Sequence, residues 1–167
     1  GIIKQNGAVL IHPQKSEADQ VIVDICKSKE ATLYKFNLNS VKNKVTQIGY
    51  QKFDFERYED LEISLSGKHQ ILNAALCVKA VEIINENTPY NINENALRNG
   101  LEKARWPGRF EQISNNPVFI LDVAHNEDSA KVLTQNLKLY FPKQKFIIIM
   151  GVMKDKDYKT MIRQILP

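Results

Sequence analysis

The stretch WPGRFEQISNNPVFILDVAHNED, residues 106–128, constrains the fold of this chain more than any other. Pro107 fixes one backbone angle and Gly108 frees the next, which makes a defined hinge. A strand is predicted over 109–114, then a turn at Asn115-Asn116-Pro117. A continuous apolar strand follows over 118–123, of the kind buried on both faces of a parallel sheet. Its end carries Asp122, His125 and Asn126 at the start of a further helix. Open α/β sheets place their ligand sites at the carboxyl ends of strands. The segment therefore predicts an α/β unit that starts at 105 and holds a small-ligand site on its edge.

Upstream, residues 8–11 read as a strand, and Ser16 is expected to cap a helix with Asp19 in capping-box-like spacing. Ala18, Val21, Ile22, Ile25 and Cys26 make its apolar stripe, and a second strand follows over 32–36. This is the β-α-β unit of a parallel sheet. Residues 44–50, 52–55 and 60–65 read as short strands of a half-buried antiparallel ribbon. A helix from Lys68 to about Asn87 is apolar on most faces, which predicts burial on several sides. Thr88-Pro89 stops it, and Asn93 caps the next helix. Beyond 123, a helix is expected over about 126–140, a buried strand over 145–150 and a helix over about 157–165. The expected division is 1–104 and 105–167, both α/β.

A chain of 167 residues with 43% hydrophobic and 25% charged residues is globular in composition. The net charge of +4 is spread without a block of like charges, so small anionic ligands are expected and nucleic acid is not. No apolar run reaches the roughly 18 residues of a bilayer span, and no targeting segment is visible, so a cytoplasmic location is expected. Cys26 and Cys77 are expected as buried free thiols. There is no GxxxxGK[ST] loop, no GxGxxG and no metal-ligand spacing.

Four residues carry candidate chemistry on their own. Asp122 at a strand end could accept hydrogen bonds from ribose hydroxyls, or brace its own loop. His125 at a helix start suits hydrogen-bond donation or proton handling, or faces solvent. Arg109 could fork onto phosphate oxygens, or pair with Glu111 or another acid. Asn73, an amide expected to be buried in an apolar helix and so hydrogen-bonded, could read a purine edge. The commoner alternative is a bond to neighbouring backbone.

Five segments taken together add to this. GIIKQNGAVLIHPQ, SGKHQILNAALCVKAVEII, WPGRFEQI, ILDVAHNEDSA and GVMKDKDY, in this order and spacing, resemble the folylpolyglutamate synthase/dihydrofolate synthase family of the Mur ligase superfamily. The resemblance implies the C-terminal part of a Mur-ligase-type central ATPase domain (1–104) and the first half of a Rossmann-like C-terminal domain (105–167). It implies an ATP- and Mg2+-dependent amide ligase that adds L-glutamate to folate or dihydropteroate through an acyl phosphate, acting as a monomer. By motif, Asn73 would contact adenine, Arg109 the ATP phosphates and Asp122 the ribose. His125 would lie near the incoming glutamate and the reacting carboxyl. His69, Asn126, Asp155 and Lys156 would flank the site. Glu127 stands where the family usually has Pro, and His12 where Gly is common. Because the chain begins with Gly1, the phosphate loop and Mg2+ ligands are expected upstream, and the chain alone is expected to be inactive. Two other readings stay open: a muramyl-peptide ligase, against which Gln70 after His69 argues, and a non-enzymatic α/β binding module.

Overall fold

In the computed structural model, which describes residues 1–166, β1 (Ala8–Ile11) and β2 (Thr32–Lys35) pair in parallel across helix α1 (Ser16–Ser28). This is the expected β-α-β unit. Its start differs in one detail. Lys15 is the N-cap, and no side chain caps the helix. Asp19 is drawn instead to Lys35 on β2, with Nζ 2.6 Å from its carboxylate.

A three-stranded antiparallel meander follows: β3 (Val41–Gln47), β4 (Tyr50–Phe55) and β5 (Tyr58–Ile63). β3 starts three residues earlier than its alternation suggested, because Val41 finds a partner in Phe55. Period-two alternation turns Gln51, Phe53 and Phe55 of β4 inward. Phe53 faces Leu61 and Phe55 faces Tyr58 across the β4–β5 ladder. Helix α2 (Lys68–Asn87) lays Ile71, Ala74, Ala75 and Val78 on that face, and α3 (Glu94–Lys103) adds Leu97 and Leu101. Phe53 and Phe55 are fully enclosed here, each worth about 1.5–3 kcal/mol of burial. Asn93 caps α3 as expected, its side chain accepting from Ala96 N.

Two expectations for α2 fail. The helix is buried along one face and not on several sides, so Asn73 and Cys77 are both exposed. Cys26 is buried, and both thiols are free.

After residue 104 the chain forms a hairpin, β6 (Glu111–Asn115) with β7 (Val118–Leu121), through a turn whose Asn116–Pro117 peptide is cis. Helices α4 (Glu127–Tyr140) and α5 (Tyr158–Ile165) pack through Ala130, Met161 and Ile165. The strand expected over 145–150 is not formed, and Ile147 is 97% exposed. A strand exists only with a hydrogen-bonded neighbour, and β7 pairs with β6 alone among the described residues. For the same reason β7 is not buried on both faces: Val118, Phe119 and Leu121 are exposed. Among the described residues no helix is long and apolar enough to cross a membrane.

Candidate active site

The Pro107-Gly108 pair is a pinned corner. Gly108 has φ +73°, and its amide donates to Glu111 Oε2 at 2.8 Å. Its carbonyl accepts from Val123 N at 2.8 Å. A Cβ at this position would lie 2.7 Å from Val123 Cγ1, so the approach of the two segments requires glycine. The corner sets the direction of Arg109. Glu111 is committed to Gly108, and Arg109 makes no ion pair among the described residues. Arg109 is half-buried, a cation without a carboxylate within ion-pair distance.

Asp122, just past the end of β7, holds the next turn with both oxygens. Oδ2 accepts from Phe110 N at 2.9 Å and Oδ1 from Ala124 N at 2.8 Å. Phe110 sits at φ +47°, a left-handed conformation unusual outside glycine, and the carboxylate steadies it there. An ionised carboxylate has about four acceptor sites, so each oxygen keeps a lone pair for a ligand hydroxyl. Asp122 thus braces its loop and stays available as an acceptor.

His125 is exposed. Its Nδ1 lies 3.0 Å from Val123 O, and its backbone amide donates to Ser129 Oγ at 3.0 Å. Asn126 caps α4. Its side chain accepts from Ser129 N while Ser129 Oγ accepts from Asn126 N. This reciprocal capping box fixes the point from which His125 projects.

The first turn of α2 meets this edge. His69 is half-buried, and burial holds its imidazole below the ordinary value; the charge of Asp122 opposes that shift and the charge of Arg109 adds to it. His69, Asp122 and Arg109 therefore share one electrostatic neighbourhood, although they come from both sides of the 105–109 segment. One turn along α2, Asn73 donates to Gln70 Oε1 at 3.2 Å, a side-chain partner where a backbone one was the commoner expectation. Asp155 and Lys156 are exposed and pair with each other at 2.9 Å. Among the described residues, no side-chain hydrogen bond or ion pair joins them to His69, Arg109, Asp122 or His125.

A cleft of about 370 Å³ opens beside Arg105, Trp106 and Arg109. Of the sequence candidates, only Arg109 lines it. The strand-end seam is the better candidate for a site, because Arg105 is already spent on Ser64 Oγ and the carbonyls of Glu102 and Ala104. Among the described residues no three His, Cys, Asp or Glu side chains gather to hold a metal.

Sequence reasoning missed two residues at the seam. Tyr140 Oη accepts from Gly67 N at 2.8 Å, across 73 residues of chain. Asn136, 4% exposed, stands beside the same glycine. The signal was present: 133, 136, 137 and 140 follow helical spacing, so these two polar residues lie on the inner side of α4.

Comparison with known proteins adds the following. Residues 108–166 match the family described as Mur ligase, glutamate ligase domain. The chain is 34% identical to the dihydrofolate synthase/folylpolyglutamate synthase of Bacillus subtilis, over 99% of this chain and 40% of that protein. It superposes on the crystal structure of folylpolyglutamate synthase from Thermotoga maritima with a TM-score of 0.83 at 34% identity, covering 98% of this chain and 39% of that one. An FPGS-AMPPCP-folate complex gives a TM-score of 0.85 at 28% identity, covering 98% and 41%. The chain thus spans about 40% of the length of the curated relative it matches.

Proposed function

Over the length it spans, this chain is a member of the folylpolyglutamate synthase/dihydrofolate synthase family of Mur-type ligases, and on that premise we propose that it supplies one wall of an ATP-dependent ligase site. The reaction is the attachment of L-glutamate to a folate or dihydropteroate carboxyl. ATP phosphorylates that carboxyl, the amine of glutamate attacks the acyl phosphate, and ADP and phosphate leave. Such chemistry needs cations against phosphoryl charge and a site closed to water.

The observation that carries this reading is the guanidinium of Arg109, without an ion-pair partner among the described residues, which acts on His69 together with Asp122, a carboxylate that keeps free acceptor positions. Arg109 would meet the phosphates, Asp122 the ribose hydroxyls, and the exposed amide of Asn73 the adenine. His125, outside the Asp122 turn, would face glutamate and the reacting carboxyl. Magnesium belongs to the same reading, with ligands outside the described residues. So do a cytoplasmic location and a monomeric state.

The test is ADP release by the native-length protein with ATP and folate or dihydropteroate, with and without L-glutamate. Glutamate-dependent release at an ordinary enzymatic rate, about 1 s⁻¹ or more, is expected. ADP release indifferent to glutamate would refute the ligase reading.

A further inference from the structure

We propose that Tyr140 and Asn136 of α4 are positioning residues that clamp the Ser66–Gly67 turn, and so fix the first turn of α2 relative to the Arg109–Asp122 wall. The inference rests on the ligase reading for its kinetic consequence, but its geometry stands alone.

The turn itself cannot move freely. Gly67 has φ +101°, and its carbonyl accepts from the Gln51 side chain at 3.0 Å. Gln51 is fully buried and also donates to Leu65 O at 2.6 Å. From below, then, the meander grips the turn. From above, α4 grips it. Tyr140 Oη takes the Gly67 amide, and both amide atoms of Asn136 lie within 2.8 Å of where a Gly67 Cβ would stand. His69 Cε1 is 2.7 Å from the same point, so the imidazole and Asn136 both close on the bare Cα of Gly67.

The other end of the clamp reaches the nucleotide wall. The Tyr140 ring packs on Phe110, with centroids 5.4 Å apart. Phe110 is 1% exposed, and its amide is the one Asp122 holds. A continuous path therefore runs from Gly67 through the Tyr140 hydroxyl and ring to Phe110 and Asp122. Gly67 and Phe110 on this path are buried, and Tyr140 and Asp122 are half-buried. Asn73 and His69 ride on α2, while Arg109 and Asp122 ride on the wall. A reaction that needs groups from both is sensitive to their separation, because misplacement of about 1 Å can cost two orders of magnitude in rate.

The experiment uses the native-length protein with Tyr140→Phe, which removes one oxygen and keeps the ring, and with Asn136→Ala. Amide exchange across residues 64–70 reads the clamp directly. Tyr140→Phe should speed exchange at Gly67 about five-fold, the equivalent of one neutral hydrogen bond, with the exchange pattern of α3 unchanged. Turnover should fall about ten-fold, and the Michaelis constant for ATP should rise with it because ATP bridges Asn73 on α2 and Asp122 on the wall, while that for glutamate stays within about two-fold. Unchanged exchange in both variants overturns the clamp. Faster exchange with unchanged turnover overturns the positioning role and leaves a structural bond. A wild-type protein without glutamate-dependent turnover sinks the ligase reading instead, and the exchange result then decides the clamp by itself.

Discussion

Gly67→Ala tests the packing at the seam most sharply. Gly67 adopts φ 101°, ψ 142°, a region that side chains avoid, at a cost of about 1–3 kcal/mol. Its new methyl would also lie 2.7 Å from His69 Cε1 and 2.8 Å from Asn136 Nδ2 and Oδ1. Both neighbours are side-chain ends that could yield, yet Asn136 is buried and has little room. Overpacking of this kind costs about 1–3 kcal/mol more, giving about 2–6 kcal/mol in all. Gly49 supplies the control. It has φ +73°, but no atom lies within 4 Å of its would-be Cβ. Gly49→Ala therefore isolates the backbone cost, about 1–2 kcal/mol. Urea unfolding of both variants at a shared m-value gives the difference. Gly67→Ala should be worse by at least ~1 kcal/mol, and adding Asn136→Ala should recover part of the gap. Equal losses at the two glycines would refute the claim that His69 and Asn136 are seated against this turn.

Four further outcomes are expected. Arg109→Ala should lower turnover about 100-fold, some 3 kcal/mol of transition-state stabilisation, with folate binding little changed; an unaltered turnover number would leave Arg109 without a phosphate role. Burial holds the His69 pKa below its ordinary 6.5, so the unfolded chain takes the proton first, and stability is full above that value and falls as pH drops through the folded value. His69→Gln should flatten that acid limb, and matching pH profiles for variant and wild type would contradict the shift. Asp122→Ala should raise the Michaelis constant for ATP and also cost about 1–3 kcal/mol, since it strands the amides of Phe110 and Ala124. His125→Ala should spare both stability and ATP affinity while impairing glutamate use, and parallel losses in the two variants would undo the division of roles.

What the sequence made legible is local. The limits of α2, the Asn93 cap and the Thr88-Pro89 stop depend on neighbours a few residues away, and all are found where they were expected. Reading Phe146–Met150 as a strand failed because an apolar run says nothing about whether a hydrogen-bonding partner exists. Exposure along α2 failed because its apolar residues encircle the helix, so periodicity does not reveal that Asn73 and Cys77 face outward. Ser16 has the right side chain for a cap, yet the helix has its N-cap one residue earlier at Lys15, and Asp19 pairs with Lys35 on β2. At the site, Asp122 and Arg109 were visible as residue types at a strand end and a corner. Their partners were not. The Gly67–Tyr140 bond joins residues 73 apart, and nothing short of the folded chain brings them together.

On the proposed assignment, the double duty of Asp122 has an evolutionary consequence. Its two oxygens each hold a backbone amide, and asparagine, with one acceptor oxygen, could not replace it without releasing one of them. If Asp122 holds the ribose as proposed, the folding requirement and the ligand requirement fall on the same atoms, and a lineage that stopped using the nucleotide would still retain this aspartate. Asn73 is under no such obligation. It stands exposed on its helix with a single side-chain partner and can be exchanged without loosening any turn. Drift in nucleotide preference would therefore leave its first trace on α2, while the strand end kept the appearance of its ancestor.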